Sequence, residues 1–264
     1  MIIAEIGWNF LGDINLAKTM IASAKESGCE YIKFQLWDPK TLKKGPWDED
    51  GRREIYNKAF LNDDQYKDLY EYSKSLKIDC FASVFSDNEF HRLLNVSNKI
   101  IKIPSMEAWD DDLISKSIQN FELVIISTGA MKKNELENLR KYSDQTNVVV
   151  LHCVSSYPLD YKNFNYEKFS FIKNNFKRFG YSGHCDGIED AIFALSNDAE
   201  VVEKHFTTDR NLEGRDNKFA IMPDELRFIC DYQKKTKEMK ISNGLDLQEF
   251  EQDVYKNYRS RWRK

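Results

Sequence analysis

Short runs of apolar and β-branched residues recur along the chain, separated by longer amphipathic stretches. Continuous apolar runs are typical of parallel strands, because helices cover both faces of a parallel sheet. Eight such runs are predicted as strands: residues 2–6, 31–35, 78–83, 99–103, 123–127, 148–153, 178–182 and 200–206.

The stretches between the strands carry apolar residues at helical spacing. In residues 14–28, Leu16, Met20 and Ala24 share one face, and Gly28 provides a natural end. The same pattern predicts helices over residues 62–77, 132–145 and 225–239.

Eight strand–helix repeats in 264 residues predict an α/β fold of the (β/α)₈ TIM barrel type. An open doubly wound sheet is the alternative, but eight strands and the absence of a GxGxxG turn count against it. No linker rich in Pro, Gly or Ser divides the chain, so residues 1–264 are predicted to form one domain. The last segment, ending in YRSRWRK, is predicted as a short helical, basic and solvated tail, and a role in binding phosphate or a partner is its alternative.

Composition narrows the class of protein. The net charge of −4 gives no general attraction to nucleic acid. The five cysteines are scattered and form no CxxC pair, so we expect free thiols in a reducing compartment. The chain opens directly on a strand, and no run approaches the roughly 20 apolar residues of a membrane span. We therefore expect a cytoplasmic protein that does not enter membranes.

Polar residues follow the predicted strands at their carboxyl ends, where the chemistry of such barrels takes place. The residues at these ends are Glu5, Asn9, Lys33, Gln35, Ser83, Lys102, Ser105, Glu107, Ser127, Thr128, His152, Ser155, Ser156, Tyr157, Ser182, His184, Glu203, Lys204, His205, Asp209, Arg210 and Asp216.

Two lysines stand inside apolar strands. Lys33 and Lys102 would be costly to bury without an anionic partner. Together with the neighbouring hydroxyls they could hold a phosphate and a carboxylate. Two alternatives remain open: the lysines reach the barrel rim and are solvated, or one of them forms a Schiff base, as in aldolases.

Two of the four histidines, His184 and His205, end consecutive strands and can meet at one rim of the barrel. Two imidazoles with a carboxylate and water suit a divalent metal such as manganese or iron, and Glu5 is the best third candidate. The alternative is a pair of structural histidines. His152 directly precedes Cys153 in a strand, so their side chains face opposite ways and are not expected to pair.

Eight motifs in register resemble the sialic acid synthase family, and they cover residues 2 to about 225. The motifs are AEIGWN, IKFQ, IKIPSME, ISTGAM, LHCVSSYP, GYSGH, VEKHFTTDR and EGRD. This family makes N-acetylneuraminate and related nonulosonates from phosphoenolpyruvate (PEP) and a hexosamine, on a (β/α)₈ barrel. The resemblance implies an aldose as second substrate and a divalent metal, usually manganese, with magnesium, cobalt or iron as alternatives.

The resemblance also implies roles for individual residues. His184 and His205 would bind the metal, and Glu5 and Glu107 would be acid–base candidates beside the catalytic lysines Lys33 and Lys102. The PEP-binding residues would be Lys33, Ser83, Lys102, Ser105, Ser127, Ser155 and Ser182. The acceptor-binding residues would be Gln35, Tyr157, Arg215 and Asp216.

The chain departs from the family pattern at several positions. Phe10 replaces a polar residue, Val84 replaces a hydroxyl, and Gly183 replaces the aspartate of a Ser-Asp-His motif, while Arg215 adds a charge in the acceptor region. In full-length members of this family an antifreeze-like domain follows the barrel and contributes to the site, and we expect none in this chain. A homodimer or a separate antifreeze-like protein could therefore complete the site. An active synthase remains the leading hypothesis. The alternatives are an inactive barrel that binds a sugar or a partner, and a Schiff-base aldolase.

Overall fold

The computed structural model describes residues 1–263 and contains a closed barrel of eight parallel strands. Each strand pairs with the next along the chain, and β8 closes the barrel against β1. The strands are β1 (Ile2–Gly7), β2 (Tyr31–Leu36), β3 (Asp79–Val84), β4 (Ile100–Ile103), β5 (Leu123–Ser127), β6 (Val148–Cys153), β7 (Phe179–Gly183) and β8 (Val201–His205). The predicted (β/α)₈ barrel is confirmed, and every strand end lies within one residue of its predicted position.

Helices form the outer layer of the barrel. They are α1 (Ile14–Glu26), α2 (Arg52–Lys58), α3 (Asp63–Ser75), α4 (Asp87–Leu94), α5 (Asp111–Asn120), α6 (Lys133–Leu139), α7 (Tyr166–Asn175), α8 (Glu189–Ser196) and α9 (Pro223–Met239). The predicted helix over 132–145 is too long. It ends in a 3₁₀ turn at Arg140–Tyr142, because the polar residues 143–145 offer no apolar side chain to continue its buried face.

The interior of the barrel is layered along its axis. Seven buried apolar side chains fill the half near the amino ends of the strands: Ile3, Phe81, Ile100, Ile125, Val149, Leu151 and Val201. Because inward-facing residues recur every second position, the next inward layer holds the polar residues two places further on. Glu5 follows Ile3, Lys102 follows Ile100, and Glu203 follows Val201 in this way. The fold therefore places a charged layer directly above an apolar floor.

The chain after β8 returns along the barrel as α9, which packs against α1 and α8. Beyond it, a 3₁₀ turn (Glu249–Glu251) and a π-helical turn (Val254–Tyr258) lie on the surface, and Leu245, Phe250 and Trp262 are exposed. Lys264, the end of the predicted basic tail, lies outside the described residues. Within residues 1–263, none of the helices has the length and apolar character needed to cross a bilayer.

Candidate active site

A cavity of about 300 Å³ opens at the carboxyl ends of the strands. Fourteen of the fifteen predicted site residues line it: Glu5, Lys33, Gln35, Ser83, Lys102, Ser105, Ser127, Ser155, Tyr157, Ser182, His184, His205, Arg215 and Asp216. Glu107 does not line the cavity. It lies half-buried in a 3₁₀ turn (Ser105–Glu107) after β4, beside Asp110, and burial followed by that carboxylate raises its pKa to about 7.

The register of β1 brings three charged or polar groups together. Glu5 lies opposite Lys33 of β2 and opposite His205 of β8. The ladder with β2 is interrupted between Glu5 and Gly7, where Gly7 has a φ of 54°. A Cβ at Gly7 would lie 3.1 Å from Glu5 Oε1 and 3.3 Å from Gln35 Nε2, so the glycine leaves room for the 2.5 Å hydrogen bond that Gln35 donates to Glu5.

Each of the two buried lysines is paired with a buried carboxylate. Lys33 Nζ lies 2.7 Å from Glu5 Oε2 and donates to Ser83 Oγ at 2.7 Å. Lys102 Nζ donates to both oxygens of Glu203, at 3.0 and 3.1 Å. All four charged side chains are at most 5 % exposed. The lysines therefore do not reach the solvated rim, and Glu203, which was not assigned a role from the sequence, is the partner that makes the burial of Lys102 possible.

The two carboxyls differ in their protonation. Burial disfavours the charge on Glu203, but Lys102 and Lys33 outweigh that effect and lower its pKa to about 2. Burial raises the pKa of Glu5, and Glu203 raises it further, against the opposing charge of Lys33. The site thus combines a carboxylate that is held in its ionised form with a carboxyl whose pKa lies above the ordinary value. This separation is typical of groups that divide acid and base roles.

Hydroxyl groups surround the lysines. Ser182 Oγ donates to Glu203 Oε1 at 3.0 Å, and Ser105 Oγ accepts from the backbone N–H of Gly129 at 2.9 Å. The buried Ser127 Oγ lines the cavity and has no hydrogen-bond partner among the residues that the structure describes. Because buried polar atoms are almost always paired, this hydroxyl is best explained as a donor to a ligand.

His184 and His205 lie side by side, with ring centroids 5.5 Å apart. His184 Nδ1 lies 2.8 Å from the carbonyl oxygen of Val154, to which it donates. Burial opposes a charge on His184, but its contacts with Cys153 and Val154 outweigh that effect and raise its pKa. His205 Nδ1 is buried and forms no hydrogen bond with any of the described residues, and Asp216 Oδ2 is 3.4 Å away. Burial and the neighbouring His184 hold the pKa of His205 well below its usual range, so its ring is neutral.

These features fit a divalent metal held by two protein ligands. A metal-binding histidine usually donates its other ring N–H to a carbonyl or carboxylate, as His184 does to Val154. No three His, Cys, Asp or Glu side chains in residues 1–263 converge closely enough to form a complete site. Glu5, the expected third ligand, is engaged by Lys33 and Gln35 instead. Water or substrate would have to supply the remaining ligands.

The outer part of the cavity is formed by aromatic and charged side chains. The ring of Tyr157 lies 4.1 Å from that of His184, centroid to centroid. Burial raises the pKa of Asp216 to about 6. Arg215 lines the mouth, and Glu213 is paired with Lys58 at 2.8 Å instead of with Arg215. Among the described residues no carboxylate lies within 4.0 Å of the Arg215 guanidinium.

One side of the cavity mouth is formed by residues that were not among the predicted site residues. The connection between β2 and α3 contributes Arg52 and Tyr56 from α2, and Trp8 lines the cavity beside them. The rings of Trp8 and Tyr56 are 5.2 Å apart, and Trp37 Nε1 donates to the carbonyl oxygen of Tyr56 at 3.0 Å. Helix α2 buries none of its side chains fully, so no apolar periodicity revealed it.

Three of the four departures from the family pattern lie behind the cavity wall, and the fourth, Arg215, lines the cavity. Phe10 is buried against Phe34 at 5.7 Å, and Val84 packs in the apolar layer between strands and helices. A Cβ at Gly183 would point toward Asp190 and Lys204. None of these three residues lines the cavity. His152 likewise faces outward, with Nε2 2.7 Å from the carbonyl oxygen of Phe164, while Cys153 lines the cavity.

Comparison with known proteins supports the resemblance to the sialic acid synthase family. Residues 20–244 match the sequence profile of the NeuB family. An N,N'-diacetyllegionaminic acid synthase of Campylobacter jejuni is 32% identical over 247 residues, which span 87% of this chain and 74% of that protein. An N-acetylneuraminate-9-phosphate synthase of Drosophila melanogaster is 32% identical over 243 residues, or 86% of this chain and 65% of the relative.

The fold comparison agrees. The crystal structure of an N-acetylneuraminic acid (sialic acid) synthetase from Leptospira borgpetersenii superposes with a TM-score of 0.83 at 29% identity, covering 100% of this chain and 92% of that one. The family profile covers well over half of the chain. The chain therefore belongs to the NeuB family, the family of the sialic acid and related nonulosonic acid synthases.

Proposed function

We propose that the protein condenses PEP with an aldose to give a 2-keto-3-deoxy sugar acid and inorganic phosphate. The observation that carries this proposal is the pair of buried lysines, Lys33 and Lys102, beside the unpartnered hydroxyl of Ser127. Two cations and hydroxyl donors in a closed layer match a small molecule that bears both a phosphate and a carboxylate. The enzymatic activities of the relatives support the same reaction class.

In this proposal Lys33, Lys102 and the serines Ser83, Ser105, Ser127, Ser155 and Ser182 hold PEP. Glu5 is already paired with Lys33, and Glu203 is paired with Lys102. The charges of this network therefore nearly cancel before the phosphate and carboxylate of PEP bind. The binding energy then comes from directed hydrogen bonds more than from net charge. Gln35, Tyr157, Arg215 and Asp216 face the outer cavity and would contact the aldose.

The reaction forms a carbon–carbon bond between C3 of PEP and the aldehyde carbon of the open-chain sugar. Water adds at C2 of PEP, and the C2–O bond breaks as phosphate leaves. Glu5, with its raised pKa, is the candidate to donate a proton to the new alkoxide, and the departing phosphate would take the proton that the water loses. Glu203, with a pKa of about 2, is too weak a base for that step and would keep Lys102 in its charged form. A divalent metal held by His184 and His205 would supply polarisation of the aldehyde oxygen. Glu107 remains a further acid–base candidate only if its turn moves toward the cavity.

The direct test is phosphate release from PEP in the presence of manganese and a panel of aldoses that includes N-acetylmannosamine and other hexosamines. We expect release that depends on both substrates, and release that is lost in Lys102→Met. A protein that binds PEP and manganese but turns over none of the sugars would instead support the inactive binding barrel.

A Schiff-base aldolase is the second candidate, favoured by one observation. Burial lowers the pKa of Lys102, as is typical of lysines that act as amine nucleophiles. Its contact with both oxygens of Glu203 favours the ammonium form and argues for the anion site instead. Reduction with borohydride in the presence of pyruvate separates the two, because only an imine can be trapped as a covalent adduct on Lys33 or Lys102.

A further inference from the structure

A third buried ion pair, between Lys204 and Asp190, lies next to the two histidines along the chain. Lys204 Nζ donates to Asp190 Oδ1 and Oδ2, each at 3.0 Å, and to the carbonyl oxygen of Cys185 at 2.7 Å. Asp190, in the first turn of α8, also accepts from Tyr181 Oη at 2.9 Å. Both members of the pair are at most 3 % exposed. Every hydrogen-bonding position of the ammonium group is used, so the cluster is rigid.

This cluster connects the chain on either side of His184 with the residue that precedes His205. Tyr181 and Cys185 flank His184 along β7 and the loop that follows, and Lys204 directly precedes His205 on β8. A single carboxylate from α8 therefore holds the two strand ends that carry the cavity's imidazoles. The side chains that donate to the Asp190 carboxylate, Tyr181 and Lys204, do not line the cavity, and neither does Asp190.

Gly183 is what allows the carboxylate to come from α8. A Cβ at position 183 would lie 2.5 Å from Asp190 Oδ2, 2.6 Å from the ring of Tyr181 and 3.0 Å from Lys204 Cδ. The φ of Gly183 lies outside the left-handed region, so the backbone itself accepts other residues. Only space excludes a side chain there, and that space is filled by the Asp190 carboxylate together with the Tyr181 ring and the Lys204 stem.

We propose that Asp190 and Lys204 form a positioning pair that fixes His184 and His205, and that Gly183 leaves the space which the Asp190 carboxylate occupies. The inference rests on the proposed function only for the use of the histidines as metal ligands. It predicts an exchange: an aspartate at 183 and a glycine at 190 would place a carboxylate in the same space beside Lys204.

The first test follows the ring signals of ¹⁵N-labelled histidine in the metal-free protein. In Asp190→Asn we expect the signals of His184 and His205 to shift while those of His91, on the distant α4, stay in place. The control is Asp198→Asn, which removes an exposed carboxylate paired with Lys173 just beyond α8 and should move neither cavity histidine. The double variant Gly183→Asp with Asp190→Gly should return both signals toward wild type.

The second readout is manganese affinity by calorimetry, which does not depend on turnover. Outer-shell partners of metal ligands typically contribute 10–100-fold in affinity, so Asp190→Asn should weaken manganese binding by about tenfold or more, and the exchanged double variant should recover it. If wild type binds no manganese, the metal part of the proposed function fails, and the histidine signals still decide the positioning role.

Loss of one member of a buried ion pair can prevent folding. In that case Asp190→Asn is combined with Lys204→Met, which leaves no uncompensated charge. Cavity histidine signals at their wild-type positions in either folded variant would overturn the proposal, because the pair would then serve stability alone.

Discussion

Lys102 and Glu203 stand on opposite strands of the barrel, β4 and β8, and their side chains meet across its interior at 3.0 Å. A contact of this kind links strands that share no hydrogen bonds. It also sets the electrostatics of the cavity, because each group is buried only with the help of the other. The anion site is therefore a matched lysine–carboxylate layer rather than a bare cluster of cations.

The first prediction concerns Lys102→Met. Leaving Glu203 without its close partner should lower the free energy of unfolding by about 3 kcal/mol. Loss of a charged hydrogen bond worth about 1.5–3 kcal/mol should weaken PEP binding by at least about tenfold, as measured by titration calorimetry. Adding Glu203→Gln should restore much of the stability but not the PEP affinity. The surface variant Lys18→Met is the control. Wild-type PEP affinity in Lys102→Met would refute the anion site.

The second prediction concerns the metal. Replacing His184 or His205 with alanine removes one of two protein ligands, so manganese affinity should fall by more than the tenfold expected for an outer-shell residue. His91→Ala, which removes an exposed histidine on α4, is the control and should leave the affinity unchanged. If all three variants retain equal amounts of bound metal after dialysis, the two histidines are structural.

The strands and most site residues could be predicted because their signals are local. An apolar run marks a strand buried on both faces, and the polar residue that ends it marks the rim. Glu203 could not be assigned in this way, because its partner Lys102 is 101 residues away along the chain and across the barrel. Arg52 and Tyr56 were missed for a different reason: they belong to a short helix without a buried face.

The departures at Phe10, Val84 and Gly183 show a further limit of sequence comparison. A changed residue inside a motif suggests a changed site, but a strand alternates its faces, so adjacent motif residues point to different layers. Ser83 lines the cavity, whereas the next residue, Val84, packs outside the barrel. In the same way Ser182 lines the cavity and Gly183 does not.

The third prediction concerns pH and Glu107. Its pKa is raised from 4.5 to about 7 by burial and by Asp110, so the folded protein binds more protons than the unfolded chain between these values. The contribution of Glu107 to stability is complete below pH 4.5 and is lost as the pH rises through 7. The melting temperature of wild type minus that of Glu107→Gln should therefore fall between pH 5 and pH 8. A difference that stays constant over this range would contradict the raised pKa.

The last prediction concerns the acceptor. Arg215 lines the cavity mouth beside Asp216, and its nearest sequence candidate for an ion pair, Glu213, is bound to Lys58. A guanidinium without a close carboxylate presents a fork of donors suited to a carboxylate or phosphate. We expect it to favour an acceptor that bears such a group, through a charged hydrogen bond worth about 1.5–3 kcal/mol.

Arg215→Gln should then lower kcat/KM for a phosphorylated or uronic acceptor by about 10- to 100-fold, while a neutral hexosamine changes by less than about threefold. Arg210→Gln is the matched control, because Arg210 lies five residues earlier in the same loop but is paired with Glu225 at 2.7 Å and does not line the cavity. The measurement is phosphate release across the acceptor panel with wild type and both variants. Equal turnover of a neutral hexosamine by wild type and Arg215→Gln, with no preference of wild type for an anionic sugar, would leave Arg215 as a solvated loop residue.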